Sequence, residues 1–181
     1  MLMVWPCHWL RCSRLLCGRH SWIAEGEMKT FLDRVFGKAE EINGGERCPT
    51  YLYRWVLLRL WGRGVYLHHF VGDDWSRDLH DHPKRFISIG LRGWYEEYTP
   101  CSCGRMDCTD FSVKRWTAPW FRSFPAEHIH RITTPSRSCW TLVIVGKSSR
   151  PWGFWHRGQF IGWRSYVDGQ DGIADKMKAC D

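Results

Sequence analysis

No stretch of these 181 residues is apolar over the ~20 positions that a membrane-crossing helix needs. No segment recurs at a fixed period, which excludes repeat architectures. The net charge of +7 is not gathered into a run, and Lys and Arg are scattered along the chain. That distribution argues against a nucleic-acid surface and describes a basic, solvated exterior. The nine cysteines lack the even count and regular spacing of a secreted disulfide framework. Cys7, Cys12 and Cys17, five residues apart, match no common metal spacing. The first 27 residues hold no acidic side chain before Glu25 and share that much with a mitochondrial presequence. They lack the unbroken apolar core of a secretory signal, because Arg11, Arg14 and Arg19 interrupt it. The chain is read as cytoplasmic.

What is present suits one domain with a sizeable core. The composition is 44% hydrophobic and 15% aromatic, with 13 Trp to fill a β interior or line a ligand cavity. Residues 1–27 are expected to be a non-native or disordered extension, with the native start at Met28. Residues 28–50 hold a helix and linker. An amphipathic helix is expected over Met28–Asn43, with Phe31, Val35, Ala39 and Ile42 on one stripe and Asn43-Gly44-Gly45 as the stop. From Tyr51 the pattern changes to short strands separated by turn signals. These are Tyr51–Trp61, Val65–Val71, Arg85–Leu91, Trp94–Tyr98, Ser112–Trp116, Trp120–Phe124, His128–Thr133 and Ser138–Val145. Many short strands beside one helix indicate a sandwich or barrel over residues 51–166, followed by a polar tail, 167–181.

The chemistry concentrates in histidines. His80 and His82 are two apart, so on a strand both imidazoles face one side. His130, about fifty residues on, can complete a set of three. Neutral imidazole is the commonest ligand for divalent transition metals, and three leave positions open for chemistry. His128 shares a face with His130 and is a candidate ligand, acid/base or substrate contact. Of His68 and His69, alternation turns only one inward, and His68 goes with Tyr66.

His80-x-His82 followed by Gly93, then Pro125-x-x-x-x-His130, resembles the two motifs of the cupin superfamily. The segments Val65-Tyr66-Leu67-His68, Asp78-Leu79-His80-Asp81-His82-Pro83 and Trp152-Gly153-Phe154-Trp155 are similar to small cupin proteins of bacteriophage genomes. The likeness covers Tyr51–Trp163. It implies an all-β fold, a single cupin barrel (double-stranded β-helix, jelly roll); the amphipathic N-terminal helix is expected to pack on its outside. Phe86 stands where cupins usually have a metal-binding Glu, Glu127 at the Gly of the second motif, and Thr134 at its Asn. A centre of His80, His82 and His130 remains. The cysteine dioxygenase group of cupins likewise holds iron with three His. The resemblance therefore implies a metal-binding, dioxygenase-like oxidoreductase of small molecules, with Fe(II) as the cofactor and Mn, Ni or Zn also compatible. Two alternatives stay open. One is a metal-independent sugar-nucleotide epimerase or isomerase, with His80 or His130 as base, Asp81 or Glu127 as its carboxylate, and Tyr66 or Tyr95 as acid. The other is a non-catalytic cupin that binds a nucleotide or sugar.

Three further expectations complete the reading. Arg54 and Arg122, on expected strands, are candidate anchors for a substrate carboxylate or phosphate. Cys101, Cys103 and Cys108 are a candidate structural zinc loop that lacks a visible fourth ligand; otherwise they form a reduced, cysteine-rich hairpin. The aromatic strand Tyr51–Trp61 is a candidate edge for a homodimer.

Overall fold

The computed structural model describes residues 14–43, 49–76, 78–101, 111–134 and 138–168, with side chains from Glu25 onward. In chain order the elements are α1 (Arg14–Phe36), β1 (Glu40–Ile42), β2 (Leu52–Leu60), β3 (Arg63–Phe70), β4 (Leu79–His80), β5 (Lys84–Arg92), β6 (Trp94–Pro100), β7 (Phe111–Thr117), β8 (Trp120–Phe124), β9 (Arg131–Thr133), β10 (Cys139–Ser148), β11 (Gly153–His156), β12 (Gln159–Gly162) and α2 (Trp163–Asp168). No described helix is long and apolar enough to cross a membrane.

The strands build two antiparallel layers. One is a six-stranded sheet in the order β1-β2-β3-β10-β5-β8. The other comes in two halves, β12-β11-β4 and β7-β6-β9. A single bridge between His80 and His130 joins those halves, each residue donating its N–H to the other's carbonyl at 2.8 and 2.9 Å. The second layer therefore reads β12-β11-β4-β9-β6-β7 across that bridge. This is the expected all-β jelly roll. Gly93, between β5 and β6, is one place where the turn demands glycine. Its φ is +80°, and a Cβ there would collide with the Ser138 carbonyl.

Alternation sorts the side chains. Tyr66, His68 and Phe70 of β3, Thr141, Val143 and Val145 of β10, and Phe86 and Ser88 of β5 face a cavity between the layers. The other face of the six-stranded sheet carries Trp55 and Trp140, stacked at 5.8 Å, and His69, stacked on Trp140 at 4.0 Å. The helix α1 covers that outer face, as expected, but its extent and its stripe differ. It begins before Met28, and Gly37 ends it after Phe36 with φ +86°. Residues Glu40–Ile42 then pair with Leu52–Arg54 as β1. Ala39 and Ile42 thus lie beyond the helix and cannot extend a helical stripe. Leu32 is the residue buried on Trp55 and Trp140, at 7% exposure, while Phe31 and Val35 are 60% and 54% exposed. Asp33 sets this docking angle. Its Oδ1 accepts the Trp55 indole N–H at 2.8 Å and the Ala39 N–H at 3.0 Å, and Lys29 pairs with Oδ2 at 2.9 Å.

Cys101 is half of a disulfide, so it offers no thiolate to a metal. That corrects the zinc expectation at Cys101; Cys103 and Cys108 lie outside the described residues.

If Leu32, rather than Phe31, is the anchor of α1, then Leu32→Ala will lose about 2–5 kcal/mol of unfolding free energy. Phe31→Ser will stay within about 0.5 kcal/mol of the parent. Urea denaturation of the three proteins measures both.

Candidate metal centre

The chain brings His80, His82 and His130 together by two devices. The His80–His130 bridge sets two of the three Cα positions from the backbone alone. Asp81 sets the third. It is fully buried and points away from its flanking histidines. Its Oδ1 accepts the Gly153 N–H at 2.9 Å, and its Oδ2 pairs with Arg150 at 2.6 Å. His82 N–H donates to the Ala126 carbonyl at 3.0 Å. With Asp81 pinned outward, both neighbours turn inward. The chain from His80 to Ser88 is not one strand: it breaks at Asp81–Pro83 into β4 and β5, which belong to different layers. All four of His80, His82, Phe86 and Ser88 still line the cavity.

One ligand atom from each of the three imidazoles falls within 4.8 Å of the other two. The Nε2 atoms of His82 and His130 are 2.9 Å apart. Two nitrogens each about 2.1 Å from a common ion, on adjacent coordination positions, would be separated by about 3 Å. Protonation states suit a cation as well. Burial lowers the pKa of all three rings, and the neighbouring imidazoles lower it further. His130 is brought down to about 4 by burial, against the opposing hydrogen bond to Glu97. Neutral rings keep the lone pair that a metal needs.

The partner of His130 is Glu97, a residue that sequence reasoning passed over. It lies on β6, 2% exposed. Its Oε1 accepts His130 Nδ1–H at 2.9 Å and His128 Nε2–H at 2.8 Å. Its Oε2 accepts from Arg122 at 2.7 Å and the Trp116 indole at 2.9 Å. Burial pushes the carboxyl up, but these donors outweigh it and hold Glu97 ionised, well below the ordinary range. An ionised carboxylate only accepts, so both rings must donate to it. That fixes the proton of His130 on Nδ1 and leaves Nε2 facing His82. Glu97, His128 and His130 also lie close enough to hold an ion. There, however, both carboxylate oxygens are already occupied, so His80, His82 and His130 form the better donor set. On the far side, His80 Nδ1 lies 3.8 Å from Asp74 Oδ2, which accepts the Ile132 N–H at 2.8 Å.

The alternation of β6 was the signal for Glu97. Tyr95 and Glu97 are two apart, and Tyr95 is 2% exposed, so the second of the two consecutive glutamates had to turn inward. Its neighbour Glu96 pairs with Arg115 at 2.8 Å on the other face. The carboxylates considered from sequence are elsewhere: Asp81 behind β4, and Glu127 exposed.

The remaining candidates separate cleanly. His128 reaches Glu97 and is not part of the cavity wall. Arg122 bonds to Glu97 and to the Tyr95 hydroxyl at 3.2 Å, and it sits over the Trp116 ring at 3.6 Å; it belongs to the support of the centre, not to the cavity wall. Tyr66 lines the wall with its ring, while its hydroxyl bonds to Arg59. Arg54 lines the wall, with His68 beside it. Phe86, at the position of the usual cupin Glu, packs its ring on His82 at 4.7 Å and stacks on Phe124 at 4.6 Å. The cavity measures about 750 Å³ and is walled mainly by aromatic and aliphatic groups.

Comparison with solved structures agrees on the fold. The polyketide cyclase RemF from Streptomyces resistomycificus matches 76% of this chain and 91% of its own at 15% identity, with a TM-score of 0.51. A Klebsiella pneumoniae protein with a double-stranded β-helix domain matches 57% of this chain and 83% of its own at 14% identity, TM-score 0.42. A cupin-2 domain protein from Shewanella frigidimarina matches 50% and 76% at 14% identity, TM-score 0.38. The RemF match, at 15% identity, speaks for the fold and nothing more. No protein-family model matches the chain, and no curated protein sequence matches it.

Two measurements probe the centre. Glu97→Gln keeps all three imidazoles but removes the carboxylate behind His130; if the three hold a metal, it is expected to bind about 10–100-fold more weakly in a calorimetric titration. Stability will also depend on pH. His130 is lowered from 6.5 to about 4, so between those values the unfolded chain holds a proton that the folded one does not. Stability then falls as pH drops through that window, by about 3 kcal/mol for this ring. A urea midpoint that stays flat from pH 7 to 4.5 in metal-free protein would contradict the neutral burial of these imidazoles.

Proposed function

We propose that the protein is a mononuclear metal enzyme of the cupin type, an Fe(II)-dependent oxidoreductase acting on a small apolar molecule. One observation carries the reading: three imidazoles, His130 buried and His80 and His82 partly buried, converge within 4.8 Å on the wall of a cavity of about 750 Å³. Bound there, a divalent metal supplies open coordination positions and redox or Lewis-acid chemistry. The protein's own residues do the rest. His80, His82 and His130 bind. Glu97 holds the Nδ1 proton of His130 and so keeps Nε2 available. Phe86 packs on His82, and Phe124 packs beside His130. An all-imidazole set brings no negative charge to the ion, suits iron, nickel, copper or zinc, and leaves positions open for substrate.

A second reading rests on the 2.9 Å contact between His82 and His130, which is also a hydrogen-bond distance. With Glu97 behind His130, the same residues form a proton relay suited to metal-free isomerase chemistry.

Elemental analysis of untagged protein, beside the His82→Ala, His130→Ala double variant, decides between them. Near-stoichiometric iron in the parent, none in the variant, and chelator-sensitive O₂ uptake with small-molecule substrates are the expected results. No metal in the parent, even after anaerobic loading with Fe(II), would overturn the oxidoreductase reading in favour of the relay.

A further inference from the structure

The six-stranded sheet places a polar row across the cavity that the metal reading leaves unused. Arg54 on β2 is the register partner of His68 on β3, and His68 that of Thr141 on β10. All three line the cavity. The row lies four residues along β10 from Val145, the register partner of Phe86, on which His82 packs. Four residues of strand span about 13 Å. The imidazoles come from the other layer, so the two polar regions face a shared apolar interior from different ends.

Arg54 is held in a defined pose. Its Nε donates to His68 Nε2 at 3.2 Å, and the guanidinium lies 5.5 Å from the centre of the Tyr66 ring. Burial, with the nearby Arg54 charge, keeps His68 neutral, so it accepts this bond without cancelling the cation. The counter-charge is Glu40, 3.5 Å from Nη1; it is 44% exposed and shared with Arg59. An exposed, shared pair of this length neutralises little. The other N–H groups of Arg54 have no partner among the described residues. Thr141 is 1% exposed, and its hydroxyl also has no partner among them. A guanidinium with spare donors matches a carboxylate in two-point geometry. Phe70, Trp75, Phe86, Trp152, Phe154 and Trp163 line the same cavity. Flat rings walling a cavity favour a flat, apolar ligand body.

We propose that the cavity binds a planar aromatic carboxylate, its carboxylate on Arg54 with Thr141 and its ring system directed toward His80, His82 and His130. The inference rests on the metal-enzyme reading for where the chemistry occurs, but ligand binding can be tested without the metal.

The probes are 2-naphthoate and its neutral analogue 2-naphthalenemethanol, titrated calorimetrically into the full chain. The parent is expected to prefer the carboxylate by about tenfold or more, the usual scale of a charged hydrogen bond. Arg54→Met should bring the ratio near one while leaving the alcohol's affinity unchanged. Thr141→Val should weaken the carboxylate about threefold and melt no lower than the parent, because it removes a buried hydroxyl without a partner. That variant keeps the test informative should Arg54→Met fail to fold. Arg115→Gln, on the far face of β7, should behave as the parent. The His82→Ala, His130→Ala variant should retain the preference even where the metal reading itself has failed. Equal binding of the two probes by the parent, or no binding of either, would overturn the proposal. So would a preference that survives Arg54→Met, or one that disappears only with the imidazoles, since the carboxylate would then sit on the metal centre.

Discussion

A carboxylate buried to 2% exposure is the constraint on which the centre depends. Removing an ionised Glu from water costs several kcal/mol, and its partners must satisfy every oxygen to offset that. Glu97 meets the condition through His128, His130, Arg122 and Trp116. These partners come from β7, β8 and the turn before β9. The requirement therefore fixes how those elements stand around β6, and fixes His130 with them. Asp81 imposes the same condition on the other half of the layer, through Arg150 and the Gly153 N–H. Neither carboxylate belongs to the converging set of three imidazoles. Glu97 stands behind His130, Asp81 faces away from His80 and His82, and the His80–His130 bridge is where their two territories meet.

Two effects compete at His130, and their balance decides what the site can do. The Glu97 hydrogen bond favours the imidazolium, while burial and the neighbouring rings favour the neutral form. Burial wins, because the ring still ends at about 4. A weaker desolvation would have produced an imidazolium–carboxylate pair, useless as a metal ligand. Glu97 therefore orients the ring without protonating it. The same logic holds at His68, where burial keeps the ring neutral and lets it accept from Arg54. The histidines of the cavity act through lone pairs, and the permanent charges sit at its edges.

The sequence carried most of the longer strands and the three clustered histidines plainly, because period-two alternation and the His-x-His spacing are local signals, while the short β1, β11 and β12 were not legible. The break at Asp81–Pro83 was not local. It follows from Asp81 finding Arg150 and Gly153 some seventy residues away. Glu97 was missed for a related reason. Nothing within β6 says that an inward glutamate will be met by donors from three other segments, and an inward charge without them would be untenable. The α1 stripe failed differently. Phe31 and Val35 fit helical spacing, but burial was decided by Trp55 and Trp140 on the sheet and by the Asp33 bonds, which bring Leu32 down instead. The disulfide at Cys101 has no local signature at all, since the residues around it suit a thiolate loop equally well.

The abundance of tryptophan follows from having two separate faces to fill. Trp55 and Trp140 stack beneath α1 on the outer side of the sheet, where they rigidify β2 and β10. Those same strands present Arg54 and Thr141 to the cavity. At the other end, Trp152 stacks on Trp163 at 5.8 Å, and Phe154 on Tyr166 at 3.9 Å. The Tyr166 hydroxyl donates to Asp78 at 3.0 Å, and Ser76 lies 3.1 Å from it, which ties α2 to the chain entering β4. The short helix is thus secured by a buried polar cluster one residue from Leu79 and two from His80. A cavity walled in this way has little freedom to change shape. Its selectivity must come from the fixed placement of its few polar groups, and those groups lie on the same strands that the aromatic stacks hold still.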